Sequence, residues 1–257
     1  MKSTQSFNSA AHRYTDALRQ SVSEWLQGKG KLTLLAQQKI LAQQLPKIVG
    51  DAALQVSVGQ PIKLLEGAKM QQQWVVSRAP GGDAQVDPCY LPFSNRSLDL
   101  ILLHHSLDFE NDPHQVLHRA VSALTAGGTL IVIGFNPFSL CGVARFWKAR
   151  SEPAPWQGRF IRSRKVAEWL QVLNCEVTYK ESACYAGPNT LGTGLWQQLG
   201  AQFWPQYGAF YVLVARKRTA MIRPLRDNTK QGEAAPNMIG VSLARTASTT
   251  QQKDLNK

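Results

Sequence analysis

Short apolar runs alternate with amphipathic segments between residues 53 and 217, and this alternation constrains the fold more than any other feature. Leu98–Leu103 is a near-continuous apolar run, which is typical of a central parallel strand. Asp112-Pro113 predicts a helix start, with the aspartate as N-cap and the proline at the first helical position. Gly127-Gly128 predicts the end of that helix, and Thr129–Phe135 predicts the next strand. The repeated change from strand to helix predicts an α/β fold with an open, doubly wound, mostly parallel sheet of seven strands.

The remaining elements follow from the same periodicities. Residues 14–46 predict two helices separated by Gly28-Lys29-Gly30, and Ser163 predicts the cap of a helix that runs to Leu173. Gly67–Gln73 predicts a short helical or loop connection. The other expected strands are Leu54–Val58, Trp74–Ser77, a weak one at Ala84–Val86, Glu176–Cys184 and Phe210–Arg216.

These elements divide the chain into three expected parts: an N-terminal helical extension (1–50), an α/β domain (51–217) and a basic tail (218–257). Apolar periodicity stops in the tail, where polar residues dominate, so we expect it to be disordered. From Arg216 to Lys257 there are nine Lys or Arg and three Asp or Glu, within a chain of net charge +12. Such a segment is a candidate contact for nucleic acid, and a solvated basic surface is the alternative.

No apolar run approaches the roughly 20 residues that a membrane span requires, and the N-terminus lacks an apolar signal segment. We therefore expect a cytoplasmic protein without a membrane partner. The four cysteines lack the close pairing of a zinc site, so no metal site is predicted. His114 and His118 have a metal-compatible spacing, but no other ligand type accompanies them, which favours a surface position. The oligomeric state is not indicated.

One block links several motifs at regular spacings. It reads Asp87-x-x-x-Leu91-Pro92-Phe93-Ser94-Asn95-x-Ser97-Leu98-Asp99, then Leu107-Asp108-x-x-x-Asp112-Pro113, then Leu124-x-x-Gly127-Gly128-x-Leu130. This block resembles the class I S-adenosylmethionine-dependent methyltransferases of type 11. The segment Gly134-Phe135-Asn136-Pro137-Phe138-Ser139-Leu140 is similar to a GFNPxSL segment of a small bacterial subgroup. The resemblance covers about residues 50–217.

The resemblance implies that S-adenosylmethionine lies across the point where the strand order reverses, beyond the carboxyl ends of the strands. Asp87 matches the position that accepts a hydrogen bond from the adenine amino group, and Leu91 the position that packs on the adenine ring. The cofactor-binding residues that it implies are Val58, Gly59, Gln60, Arg78, Asp87, Leu91, His104 and Ser106.

Two positions depart from the family pattern. The first strand is followed by Val58-Gly59-Gln60-Pro61, with one glycine and no acidic residue, where relatives carry a glycine-rich loop. The second strand is followed by Arg78 instead of the acid that holds the ribose hydroxyls. These departures leave two hypotheses open. One is methyl transfer to an unidentified small molecule or RNA. The other is a catalytically inactive methyltransferase-like fold that acts as a binding module, with nucleic acid as one ligand.

Three further residues complete the predicted site, and His104 has a second candidate role in it. His104 and His105 end the fourth strand beside the expected methyl group, and imidazole has the pKa range of a general base. The alternative is that one histidine packs beneath the ligand and the other points into the sheet connection. Asn136 follows the fifth strand and is a candidate substrate contact, or else a residue that stabilises the turn before Pro137. Trp204 lies in an aromatic-rich loop and is the second candidate substrate contact.

Overall fold

The computed structural model of the chain describes residues 17–139, 142–143, 148, 155–185 and 207–219. Its seven strands are β1 (Val49–Ser57), β2 (Lys69–Ser77), β3 (Ala84–Gln85), β4 (Leu98–His104), β5 (Leu124–Phe135), β6 (Cys175–Ala183) and β7 (Phe210–Lys217). The helices are α1 (described over residues 17–27), α2 (Lys31–Gln44), α3 (Ser106–Phe109), α4 (Pro113–Ala123) and α5 (Ser163–Val172). Two 3-10 turns cover Leu45–Lys47 and Pro88–Tyr90.

All seven strands form one sheet in the order β3-β2-β1-β4-β5-β7-β6. The first five strands are parallel, and β7 runs antiparallel to both of its neighbours. Ser57 at the end of β1 pairs with Ser77 of β2 on one side and with His104 of β4 on the other. The carboxyl ends of these three strands therefore lie side by side, which forms one continuous edge for the candidate site.

Both faces of the sheet are buried, as the predicted doubly wound fold requires. Ile101 and Leu103 of β4 belong to a core with α4 and α5, whereas Leu100 and Leu102 pack on the opposite face near α2. A third cluster joins α1 to the carboxyl edge of the sheet, and its members are Val22, Trp25, Leu26, Val58, Phe109, Phe135 and Phe160. The fold class predicted from the sequence is confirmed.

Several element boundaries differ from the prediction. β2 begins at Lys69, so most of the connection predicted at Gly67–Gln73 is strand; its first five residues are mostly solvent-exposed and include one apolar side chain, Met70. Gly127-Gly128 does not end α4. The backbone becomes extended at Leu124, and Gly127 adopts a φ of +81° within β5. Ser163 is the first residue of α5, and Arg162 occupies the cap position without a side-chain hydrogen bond.

Other predictions agree closely with the structure. Asp112 caps α4, since its Oδ1 accepts a hydrogen bond of 3.0 Å from the Gln115 N–H. Met1–Ala220 forms a compact unit by itself. The predicted tail lies outside the described residues except for positions 218 and 219, and the division into three parts stays a prediction. None of the described helices has the length and apolar character needed to cross a membrane.

Candidate functional site

The site lies where the order of the parallel strands reverses, between β1 and β4. Two hydrogen bonds close this crevice at its base. The Val58 N–H donates to the His104 carbonyl at 3.1 Å, and the Ser106 hydroxyl donates to the Val56 carbonyl at 2.8 Å. Ligands of open parallel sheets bind in such a crevice, outside the carboxyl ends of the strands. The structure thus brings Val58, His104 and Ser106 of the predicted set together.

The loop after β1 is covered by helix α1. Gly59 is buried with a φ of +63°, and a Cβ placed on it would lie 2.1 Å from the Arg19 carbonyl oxygen. The Gln60 N–H donates to the Ser23 hydroxyl at 3.0 Å. Glycine is required at position 59 for its left-handed backbone and for the close approach of α1. The loop that should hold the methionine part of the donor therefore faces a helix of its own chain.

Four charged side chains form a chain of ion pairs along the same edge, which we call the Arg19–Asp87 charge cluster: Arg19, Glu110, Arg78 and Asp87. Arg19 lies 3.0 Å from Glu110, Arg78 lies 3.3 Å from Glu110, and Arg78 lies 2.5 Å from Asp87. Arg19 also donates to the Phe109 carbonyl at 3.1 Å. Two cations thus neutralise two carboxylates.

The two carboxylates of the cluster differ in exposure. The Glu110 side chain is 4% exposed and that of Asp87 is 33% exposed. Burial raises the pKa of Glu110, and Arg19 and Arg78 oppose that shift. Arg78 directly follows β2, at the position where the resemblance implies an acidic residue. It pairs with the carboxylates of Asp87 and Glu110.

Glu110 and Arg19 were absent from the predicted site, although the sequence holds one signal for them. Arg19, Val22, Ser23 and Leu26 follow a spacing of i, i+3, i+4 and i+7 on α1, so Arg19 belongs to the stripe that faces the core. A cation on such a stripe predicts a buried partner, but its identity depends on the tertiary fold.

The adenine end of the predicted site is more open than the methionine end. Asp87 caps the 3-10 turn Pro88–Tyr90, since its Oδ1 accepts a hydrogen bond of 2.9 Å from the Cys89 N–H. Leu91 follows this turn and is half-buried. Asp87 and Leu91 thus lie close together in the chain and remain within reach of a ligand.

His104 and His105 are both buried and share the side-chain amide of Gln37 from α2. The His104 Nε2 donates to the Gln37 Oε1 at 3.1 Å, and the Gln37 Nε2 donates to the His105 Nε2 at 2.9 Å. The Gln37 amide oxygen can only accept, so His104 carries its proton on Nε2. The Gln37 amide nitrogen donates, so the His105 Nε2 accepts and His105 carries its proton on Nδ1. The pKa of His104 is lowered far below its usual range by burial and by the neighbouring His105.

The His105 Nδ1 donates to the Asp108 Oδ2 at 3.2 Å, and the Phe135 N–H donates to the same oxygen at 2.9 Å. Burial lowers the pKa of His105 to about 3 and raises that of Asp108. Burial thus disfavours the charged form of both groups, and the ring nitrogens of His105 are occupied within the protein. This geometry favours packing and positioning of the β4 end, and the base role of His104 and His105 stays a prediction.

Of the two candidate substrate residues, the structure describes Asn136 but not Trp204. The Asn136 Nδ2 donates to the Gly208 carbonyl at 3.0 Å, and its Oδ1 accepts from the Phe138 N–H at 3.1 Å. These bonds stabilise the turn after β5, and the substrate role of Asn136 stays a prediction. Trp204 lies outside the described residues, so its substrate role stays a prediction.

One group of potential metal ligands occurs among the described residues. Ligand atoms of Asp87, Cys89 and Glu110 lie within 4.8 Å of one another. Arg78 pairs with both carboxylates, and burial raises the pKa of the Cys89 thiol to about 11. Arginine charge and a protonated thiol both disfavour a metal ion there.

Comparison with known proteins finds similarity to methyltransferases. Residues 63–132 match the family model of a methyltransferase domain. A chain from the complex between the Haloferax volcanii Trm112 methyltransferase activator and a methyltransferase superposes with a TM-score of 0.52, at 14% identity over 70% of this chain and 88% of that one. Haemonchus contortus phosphoethanolamine N-methyltransferase 2 superposes with a TM-score of 0.50, at 13% identity over 72% of this chain and 53% of that one.

These structures establish the fold. The family match over residues 63–132 and the strand order agree with the methyltransferase fold that the sequence motifs resemble, and with S-adenosylmethionine as the cofactor. Among curated proteins, the uncharacterized protein YafS of Escherichia coli (strain K12) is 34% identical over 155 residues, which is 60% of this chain and 62% of that protein. This chain thus matches about three fifths of the length of its curated relative.

The described residues fit this cofactor only in part. Asp87 and Leu91 remain accessible at the adenine end. At the methionine end, the Arg19 carbonyl lies against Gly59 and the Gln60 N–H is already bonded to Ser23. In this conformation the site does not accept the whole cofactor, because α1 occupies part of the space.

Proposed function

We propose that this protein transfers a methyl group from S-adenosylmethionine to an acceptor that is a small molecule or RNA. The observation that carries the proposal is the partly exposed Asp87 carboxylate, at the carboxyl edge of a sheet with methyltransferase strand order. A carboxylate there can accept a hydrogen bond from the adenine amino group, since a carboxylate only accepts and an amino group donates. A cytoplasmic location belongs to the same proposal.

Calorimetric titration of the full chain with S-adenosylmethionine and S-adenosylhomocysteine tests the proposal. We expect Asp87→Ala to weaken binding of S-adenosylhomocysteine about tenfold, since about 1.4 kcal/mol corresponds to one hydrogen bond to a charged group. Asp112→Ala is the matched control. It also removes a carboxylate that caps a helical turn, but this carboxylate is exposed, caps α4 and does not belong to the predicted cofactor contacts.

Two results would contradict the proposal. Absence of both heat and thermal stabilisation at millimolar cofactor would reject the cofactor site. Equal affinities of the wild type and Asp87→Ala would reject the adenine assignment alone.

The second candidate function is a binding module without catalysis. The contact between α1 and Gly59, together with Arg78 in the place of an acid, specifically favours it. Four basic side chains are exposed and offer a surface for phosphates: Arg159, Arg162, Arg164 and Lys165. RNA binding that weakens steeply with salt, in a protein that does not bind the cofactor, would support this function over the first.

A further inference from the structure

Helix α1 makes two contacts with the cofactor edge that differ in chemistry. One is backbone packing, in which the Arg19 carbonyl covers Gly59. The other is electrostatic, in which the Arg19 guanidinium reaches past the loop to Glu110 and the Phe109 carbonyl. The same residue thus fills the loop and neutralises the most buried carboxylate of the Arg19–Asp87 charge cluster.

Removal of Arg19 would change the charge of this pocket. With Arg19 docked, two arginines balance Glu110 and Asp87. Without it, Arg78 alone faces both carboxylates, and the remaining three groups carry a net charge of −1. Glu110 is buried and would then keep only Arg78, which it shares with Asp87, so the vacated position favours another cation with N–H donors.

The surroundings of Glu110 leave space beside the helix. A cavity of about 200 Å³ adjoins it, lined by residues that include Leu18, Glu110, Gly158 and Arg159. The apolar anchor of α1 lies further along the helix, at Val22, Trp25 and Leu26. Gly28 and Gly30 follow that anchor in the turn before α2, where glycines permit the backbone rotations of a hinge.

We propose that α1 is an intramolecular competitor of the cofactor: Arg19 holds the position that the α-ammonium group of the methionyl end of S-adenosylmethionine takes, so docking of α1 and cofactor binding exclude each other. This inference rests on the proposed function. It adds a regulated step, because any change that releases α1 raises the affinity for the cofactor by increasing the population of the competent state.

The first experiment measures α1 without any ligand. Hydrogen exchange of the amides of residues 17–27 reports whether the helix is docked. We expect faster exchange in Arg19→Ala and in Gly59→Ala, whose added Cβ would collide with the Arg19 carbonyl. Gln20→Ala and Gly127→Ala are matched controls. Gln20 is exposed on the same helix, and Gly127 has a positive φ, but its nearest contact would be an ordinary 3.7 Å.

The second experiment measures the affinity for S-adenosylhomocysteine by calorimetry in the wild type, Arg19→Ala and Gln20→Ala. We expect Arg19→Ala to bind at least tenfold more tightly than the other two. Addition of S-adenosylhomocysteine to the wild type should also accelerate exchange of residues 17–27, whereas simple stabilisation by a ligand would slow it.

The outcomes separate this inference from the proposed function. Equal affinities of the wild type and Arg19→Ala would overturn the competition and leave the proposed function intact. Slower exchange of α1 in the presence of ligand would also overturn it, since the helix would then close over the cofactor. Absence of binding in all three proteins would overturn both.

Discussion

Acid should destabilise this protein through His104, because that imidazole is buried and stays neutral. Its folded-state pKa lies far below the ordinary value of 6.5. Below pH 6.5 the unfolded chain therefore binds a proton at this position that the folded protein does not. Stability from this group is present above pH 6.5 and is lost as the pH falls.

The magnitude follows from the unfolded-state pKa alone. A histidine that stays neutral in the folded state lowers the free energy of unfolding by about 0.2 kcal/mol at pH 7 and about 2.1 kcal/mol at pH 5. We therefore expect the wild type to lose about 2 kcal/mol more than His104→Gln between these two pH values. His105 and Asp108 are present in both proteins, so their contributions cancel in the difference.

The assay is urea unfolding followed by tryptophan fluorescence at pH 5 and pH 7. Glutamine at position 104 retains an N–H donor for Gln37, which limits other damage to the buried network. His118→Gln is the control for loss of a histidine from an exposed position. If the wild type and His104→Gln showed the same pH dependence, the assignment of His104 as a buried neutral imidazole would be wrong.

Two other substitutions test the packing of the site. Gln37→Leu should lower the free energy of unfolding by about 2–5 kcal/mol in urea titrations, because it leaves two buried imidazole nitrogens without partners. Gln38→Leu on the same helix, at a partly exposed position, should change stability little. Gly134→Ala should cost about 1–3 kcal/mol, since its Cβ would lie 2.5 Å from the buried Tyr211 hydroxyl oxygen. Gly67→Ala, with a nearest contact of 3.8 Å, is its control; equal losses would contradict the packing argument.

The buried strands could be predicted from the sequence because their apolar runs report burial directly. Leu98–His104 is buried on both faces, and the predicted run ends within one residue of the strand. The exposed start of β2 could not be found, since a polar stretch such as Gln71-Gln72-Gln73 has no apolar period to reveal a strand. Local signals also misplaced the end of α4, because pairing of Leu124 with Leu98 draws the chain into β5 before the glycines are reached.

Of the candidate site, only residues that lie close together in the sequence could be predicted. Asp87 and Leu91 lie in one local block, so the resemblance located them together. The departures of the loop at Gly59 and the helix α1 were both visible in the sequence, but the contact between Arg19 and Gly59 was not, since these residues lie 40 positions apart. The partner of each buried ion depends on tertiary contacts that no local pattern encodes.

The position of β7 has a consequence for synthesis. This strand is the last of the seven in the chain, yet it lies inside the sheet between β5 and β6. While a ribosome is still adding residues before Phe210, β6 is complete but lacks its neighbour in the sheet, and β5 exposes an unpaired edge. Such edges recruit other chains. The β5 edge therefore stays unpaired until β7 emerges from the ribosome, and the sheet closes only then.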